Sequence, residues 1–339
     1  MALASTRELM KRKNITTLLS RIALEQDEEM ESLVSQFATG KKTAGAPVAI
    51  RFRPVVREFI TRVSQRLGIS TAELVNILIE GVMLDTLAPR QAVVTRLYER
   101  FWLLMDAHRL SMVNVAMLLA GMNMGLSVLE SRDRTLDYLT APVISQLAEW
   151  FGVSPDWLDG SVEQPVMPVT FTSWRDVADR IFPAVRAGTA LPAITLVRRD
   201  SSTDSICGKN DTVVCIRQLK QINGITLRVV ACSGIIPHAA AGNNETNAFL
   251  TFCEIMKRAS RLGDIEAVSA PEHIFTQFVR GNELPASILS ILSTYLSEQK
   301  ERGVKSLWSG NEIKSIADSE SHLSPEWKIY AGEIIKNRT

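Results

Sequence analysis

PVAIRFRPVVREFITRVSQRLGISTAELVNILIEGVML, residues 47–84, runs through two periodicities in succession. Val48, Ile50 and Phe52 alternate with Ala49, Arg51 and Arg53, which is the period of a strand with one apolar face and one short or cationic face. Pro54 pre-sets φ for a helical first turn. Beyond it Val56, Phe59, Ile60, Val63 and Leu67 recur at spacings of three and four, leaving Arg57, Arg62 and Arg66 on the other side. Gly68 suits a helix C-terminus, and Ser70 with Glu73 forms a capping box that opens a second helix with Leu74, Ile77, Leu78 and Gly81 as its stripe. One strand and two helices cannot build a core alone, and a lone strand leaves its backbone groups unpaired. A partner chain is needed to complete the unit.

This order of elements resembles the ribbon-helix-helix family of dimeric DNA-binding proteins, to which the Met and Arc repressors belong. The resemblance rests on the alternating strand ending in Arg51-Phe52, the turn Gly68-Ile69-Ser70 and the run Ser70-Thr71-Ala72-Glu73-Leu74-Val75. It implies that two strands, one per subunit, pair as an antiparallel ribbon in the major groove. Carried over by position, Ala49 and Arg51 would face base edges, with Arg51 on a guanine and Ala49 on a thymine methyl. Arg53 would meet phosphate at the helix entry. Ser70 and Thr71 would bind phosphate at the start of the second helix, where orphan N–H groups favour an anion. With Ala49 and Pro47 beside it, Arg51 is nearly alone on the groove face, so readout would be modest or partly indirect.

Charge follows the same boundaries. Residues 41–67 hold seven basic side chains (Lys41, Lys42, Arg51, Arg53, Arg57, Arg62 and Arg66) against Glu58 alone. The chain as a whole is nearly neutral, with 38 Lys plus Arg and 37 Asp plus Glu. Residues 1–46 read as a helix over about 5–38 followed by the link GKKTAGAP, whose Lys41 and Lys42 would add salt-sensitive attraction to DNA. By the resemblance, residues 47–88 would form the ribbon-helix-helix unit, with Ala88-Pro89 as its end.

Residues 89–160 suggest a bundle, with helices over Thr95–Ala107, Ser111–Ala120, about Met124–Arg132 and Ala141–Phe151. RLS at 109–111, Ala116, Leu126 and Leu129 followed by Glu130, and the terminal FGVSPDWLDG resemble the helix-turn-helix domain of the lambda-repressor and Cro type. The resemblance implies Asn123 and Ser127 as base readers, with Arg132 and Arg134 on phosphate. Five basic against eight acidic residues over 95–160 leave this unit acidic, and a fold kept for packing or dimerisation is the other reading.

Residues 161–339 change class. GSVEQPVMP at 160–168 reads as a linker, and Ser173–Ala187 as a helix interrupted near Pro183. Ala193–Arg199, Thr212–Ile222 and Ile225–Gly234 read as strands. Asn223-Gly224 makes a hairpin of the last two because both positions tolerate positive φ. Helical periodicity returns over Glu245–Leu262, Pro271–Arg280 and Pro285–Arg302, so an antiparallel meander plus helices is expected here. The fold class is therefore mainly α with an α+β C-terminal domain that serves sensing or assembly. Leu284, Ile288, Leu289, Ile291, Leu292, Tyr295 and Leu296 give the last helix an apolar face broad enough to pack on a core or on another subunit.

The rest of the chemistry is sparse. The chain is 46% hydrophobic with 6% aromatics over 339 residues, which excludes a disordered chain or a polybasic coat protein. Cys207, Cys215, Cys232 and Cys253 form no C-x-x-C pair and read as buried free thiols, with neither a zinc site nor a disulfide framework. His108, His238, His273 and His322 are scattered. Ser233-Gly234 and Gly242-Asn243-Asn244 around His238 read as a polar loop. No P-loop, dinucleotide fingerprint, nucleophile elbow or metalloprotease helix is present, so a non-enzymatic protein without cofactor or metal is expected. The start MALASTRELMKRKN lacks the order of a secretory signal, and no apolar run reaches membrane length, which points to a cytoplasmic protein without a membrane partner. The combined expectation is a homodimeric regulator of transcription bound to double-stranded DNA, with any small-molecule effector unknown. Plasmid partition or conjugative-transfer accessory binding, and a protein-interaction scaffold, are the alternatives.

Overall fold

The computed structural model describes residues 49–87, 89–166, 192–199, 211–236, 245–258, 262–263 and 265–301, with single positions at 32, 176, 178, 179 and 329. Apart from those single positions, the expectations placed on residues 1–46 (Lys41 and Lys42 included) and on 173–187 lie outside the described residues. So do those on Cys207, His238, residues 242–244 and His322. The chain divides into two compact units, Met1–Thr95 and Arg96–Thr339.

In the first unit, α1 (Pro54–Leu67) and α2 (Thr71–Leu87) are joined at a 99° bend. The turn is the expected one. Gly68 takes a left-handed φ of 68°, where a side chain would be strained, and Ile69 N–H donates to Ser64 O at 3.1 Å. Ser70 Oγ then accepts from Glu73 N–H at 3.1 Å, capping α2. Residues 49–53 differ from expectation: they form no ladder and are exposed. A strand needs a neighbour to pair its backbone, and the described part of one chain offers none. The apolar stripes are likewise uncovered. Ile60 and Leu74 are buried, but Val56, Phe59, Leu67, Ile77 and Leu78 are all exposed. No single helix among the described residues is long and apolar enough to cross a membrane, and α1 with α2 pass that test only when taken together across their bend.

The unit boundary falls within α3 (Pro89–Ala107). The second unit continues through α4 (Met112–Leu118), a 3₁₀ turn at Ala120–Met122, α5 (Leu126–Leu129), α6 (Arg132–Tyr138), α7 (Ala141–Phe151) and α8 (Pro155–Leu158). Their sequences set the breaks. Ser111, Ser131 and Ser154 each cap a helix by accepting a backbone N–H. Gly152 ends α7 in the left-handed region, so that FGVSPDWL turns Trp157 and Leu158 into the core with Phe101, Leu104, Leu147 and Phe151. The single helix expected over about Met124–Arg132 is instead two. Gly125 is extended before α5, and Ser131 restarts the chain as the cap of α6.

The C-terminal half carries β1 (Ala193–Arg199), β2 (Thr212–Ile222), β3 (Ile225–Cys232), α9 (Glu245–Arg258), β4 (Ile265–Ala270), α10 (Glu272–Arg280) and α11 (Pro285–Glu301). The sheet order is β3-β2-β1-β4. β1, β2 and β3 form the expected antiparallel meander, with Asn223 (φ 49°) and Gly224 (φ 79°) at the hairpin. β4 corrects the expectation: it pairs parallel to β1, so the sheet is mixed. Ile265–Ala270 is a short segment that alternates only weakly, and its membership is decided by the sheet edge it covers.

The two faces of the sheet meet different partners. Ile225, Leu227 and Val229 of β3 share one core with Phe101, Leu118, Leu147 and Phe151 of the bundle. Val197, Val213 and Cys215 share another with Phe275 and Phe278 of α10 and Ile288 and Leu292 of α11. Bundle and sheet are therefore welded through β3. Residues 161–166, expected as a linker, are tied on both sides: Arg100 donates to Val162 O at 2.7 Å and to Glu163 at 2.8 Å, and Gln164 donates to Arg280 O at 3.1 Å.

Candidate nucleic-acid interface

The N-terminal unit carries Arg51 and Arg53 before Pro54, where the ribbon is expected, and Arg57, Arg62 and Arg66 along α1. Ala49, Arg51 and Arg53 are exposed, and Arg53 is the extended N-cap residue of α1. Phe52, Pro54, Arg57, Glu58, Thr61 and Arg62 line an open groove of about 570 Å³ beside that segment. Within it Arg62 is ion-paired with Glu58 one turn earlier, so its charge is partly neutralised in place. Arg66 lies in the last turn of α1 and is exposed.

Ser70 and Thr71 sit at the start of α2. The Ser70 hydroxyl oxygen is engaged by Glu73 N–H, which leaves its O–H proton as the donor available to an anion. Glu73, in the first turn, favours the helix through its dipole but opposes a phosphate placed there. A phosphate contact at this point therefore depends on the backbone N–H groups of Thr71 and its neighbours more than on side chains.

In the bundle, Asn123 is exposed with a left-handed φ of 59°, at the end of the 3₁₀ turn, and Ser127 is exposed on α5. They lie close in sequence on one surface segment. α5 has four residues, about 6 Å of helix at 1.5 Å per residue, which is little length for reading a groove. Arg132 lies over the Tyr98 ring at 5.4 Å, and Arg134 is exposed. Met112, Val113 and Met117 of α4 and Leu126 of α5 are also exposed, so the bundle displays apolar side chains where a DNA-contacting surface is usually cationic.

Two contacts that the sequence reading did not single out hold the bundle in shape. Arg100, buried, donates to Trp157 O and Val162 O and pairs with Glu163. Asn223 Nδ2 donates to Leu118 O at 2.7 Å, linking the hairpin tip to the end of α4. Among the described residues no group of three or more His, Cys, Asp or Glu is placed to hold a metal ion. No protein family, curated protein or solved structure matches the chain.

Proposed function

We propose that the protein is a homodimeric, sequence-specific DNA-binding regulator of transcription that works in the cytoplasm through a two-stranded ribbon built from residues 48–53 of two copies. The observation that carries this reading is the uncovered apolar surface of α1 and α2 beside an unpaired, Arg-bearing segment. Phe59, Leu67, Ile77 and Leu78 are each at least half exposed. Burying such side chains is worth roughly 1.5–3 kcal/mol each, so two copies have a strong reason to associate. Pairing segment 48–53 with its twin would satisfy its backbone and place Arg51 of both copies on one face of the ribbon. Two-fold symmetry then favours a partly palindromic or repeated operator. Plasmid partition or transfer accessory binding uses the same contacts and is separated by readout: a promoter fusion responds to a regulator, and plasmid loss without it marks partition.

The test is genome-wide binding with footprinting, followed by affinity for the recovered site across a salt series. Binding through phosphates weakens steeply from low to physiological salt, whereas an apolar protein contact does not. The folded Arg51→Ala protein is expected to lose about 1–3 kcal/mol of site-specific affinity. Unchanged affinity would remove Arg51 from the interface. A protein that binds no DNA at low salt, yet captures another protein, would favour the scaffold.

A further inference from the structure

Cys215 of β2 and Cys232 of β3 stand directly opposite each other, with their Sγ atoms 3.4 Å apart. The alternation of the ladder says what kind of pair this is. Ser233 N–H donates to Val214 O at 2.9 Å, and Val214 N–H returns a bond to the Ser233 hydroxyl, also at 2.9 Å. The next pair along is therefore non-hydrogen-bonded, the arrangement in which Cα atoms stand about 4.5 Å apart and side chains come closest. A disulfide spans Cα separations of about 4.4–6.8 Å, so the strands already have the spacing of a bridged pair.

The surroundings give one of the two thiols access. Past Val214–Ser233 the next bonded pair is Thr212–Ile236, with bonds of 3.1 and 2.9 Å. Between the two pairs the returning chain has Gly234 and Ile235 against Val213 alone, which is a β-bulge that ends the regular ladder just beyond Cys232. Cys232 is accordingly half-buried and lines a small crevice with Ser233, Phe278 and Glu283. Cys215 is wholly buried, and burial pushes its thiol well above the usual range, so it stays protonated until a partner sulfur is activated beside it.

We propose that Cys215 and Cys232 form a covalent modification site that a small peroxide closes into a cross-strand disulfide. The Cys232 thiolate attacks a peroxide oxygen, the O–O bond breaks, and the departing hydroxide takes up a proton, leaving Cys232 as a sulfenic acid and releasing water. The Cys215 sulfur then attacks the Cys232 sulfur; the S–S bond forms, the S–O bond breaks, and the leaving hydroxide carries off the Cys215 proton as a second water. In sum, two thiols and one hydrogen peroxide give one disulfide and two waters, with two electrons passing from sulfur to peroxide oxygen. The second step is intramolecular between atoms already in contact, which favours it over further oxidation of the sulfenic acid.

The test exposes the full chain to graded hydrogen peroxide, followed by denaturation, alkylation and peptide mass mapping. The expected product joins the Cys215 and Cys232 peptides, lacks two hydrogens, and reverts with dithiothreitol. In Cys215→Ser, Cys232 is expected to accumulate as a sulfenic acid that dimedone traps, and in Cys232→Ser, Cys215 is expected to stay reduced. The exposed Met112 and Met117 act as an internal gauge of exposure. The proposal is overturned if both thiols remain alkylatable once those methionines have become sulfoxides. It is also overturned if Cys232 goes on to sulfinic acid beside a reduced Cys215, or if either thiol pairs with Cys207 or Cys253 instead. Mapping of the unsubstituted chain decides the matter even where a serine variant does not fold.

Discussion

α1 and α7 carry the same kind of apolar pattern and meet opposite fates. In α7 Val143, Ile144, Leu147, Ala148 and Phe151 are all buried. In α1 the comparable set is Val56, Phe59, Ile60, Val63 and Leu67, of which only Ile60 is buried. The period of a helix states where apolar surface must be covered and is silent about what covers it. In the bundle the cover comes from the same chain, through α3, α8 and β3. For α1 and α2 the described residues supply none, which is why the reading given to this unit requires a second copy.

That contrast can be broken by substitution. Phe101 is wholly buried in the bundle core, so Phe101→Ala is expected to cost about 3–5 kcal/mol, measured by denaturant unfolding, and the loss should not depend on protein concentration. A change below about 1 kcal/mol would mean that the core packs less tightly than its burial indicates. Phe59 is 60% exposed, and Phe59→Lys should leave the second unit untouched while weakening self-association at least about 100-fold, roughly 2.7 kcal/mol, in sedimentation equilibrium. An unchanged dimer, or no dimer at all in the parent chain, would assign the apolar face of α1 to some other cover.

Smaller effects sharpen the same comparison. Gly68→Ala forces a side chain into a left-handed turn with open space around it, so only the backbone penalty, about 1 kcal/mol, is expected in the melting of the first unit. The smallest effect concerns pH in the second unit. His108 donates its Nδ1–H to Leu104 O at 2.8 Å and packs edge-on to Phe151 at 4.6 Å, and burial holds its imidazole below the usual value more than the carbonyl bond raises it. As pH falls through 6.5 the unfolded chain takes up a proton that the folded chain refuses, so stability drops until the folded imidazole itself titrates. Unfolding midpoints at about pH 7.5 and about pH 5.5 should differ in that direction, and His108→Gln should flatten the slope. A slope that survives the substitution would place the titrating group elsewhere.

Local chemistry made much of the fold legible. Asn223-Gly224 fixed the hairpin and its register, and Ser154 with Gly152 fixed the turn that buries Trp157. β4 escaped because a strand at a sheet edge is chosen by what it pairs with, and its own alternation is weak. The split between α5 and α6 escaped because the apolar period runs on through Glu130 and Ser131, while the serine cap restarts the chain. The cysteine pair was within reach: seven residues back from Ile222 and seven on from Ile225 are Cys215 and Cys232. The arginines of the N-terminal segment were visible from the outset. What they touch was not, because residues 49–53 are exposed and pair with nothing among the described residues, and the proposed reading places their partner on another molecule.

The bond from Asn223 to Leu118 gives the hairpin a mechanical role. Its tip closes the C-terminal end of α4, and its inner face supplies Ile225, Leu227 and Val229 to the bundle core. The hairpin and the helix that leads into Asn123 and Ser127 are thus joined by a hydrogen bond as well as by a close-packed core, which gives strain in the hairpin a direct route to that surface segment.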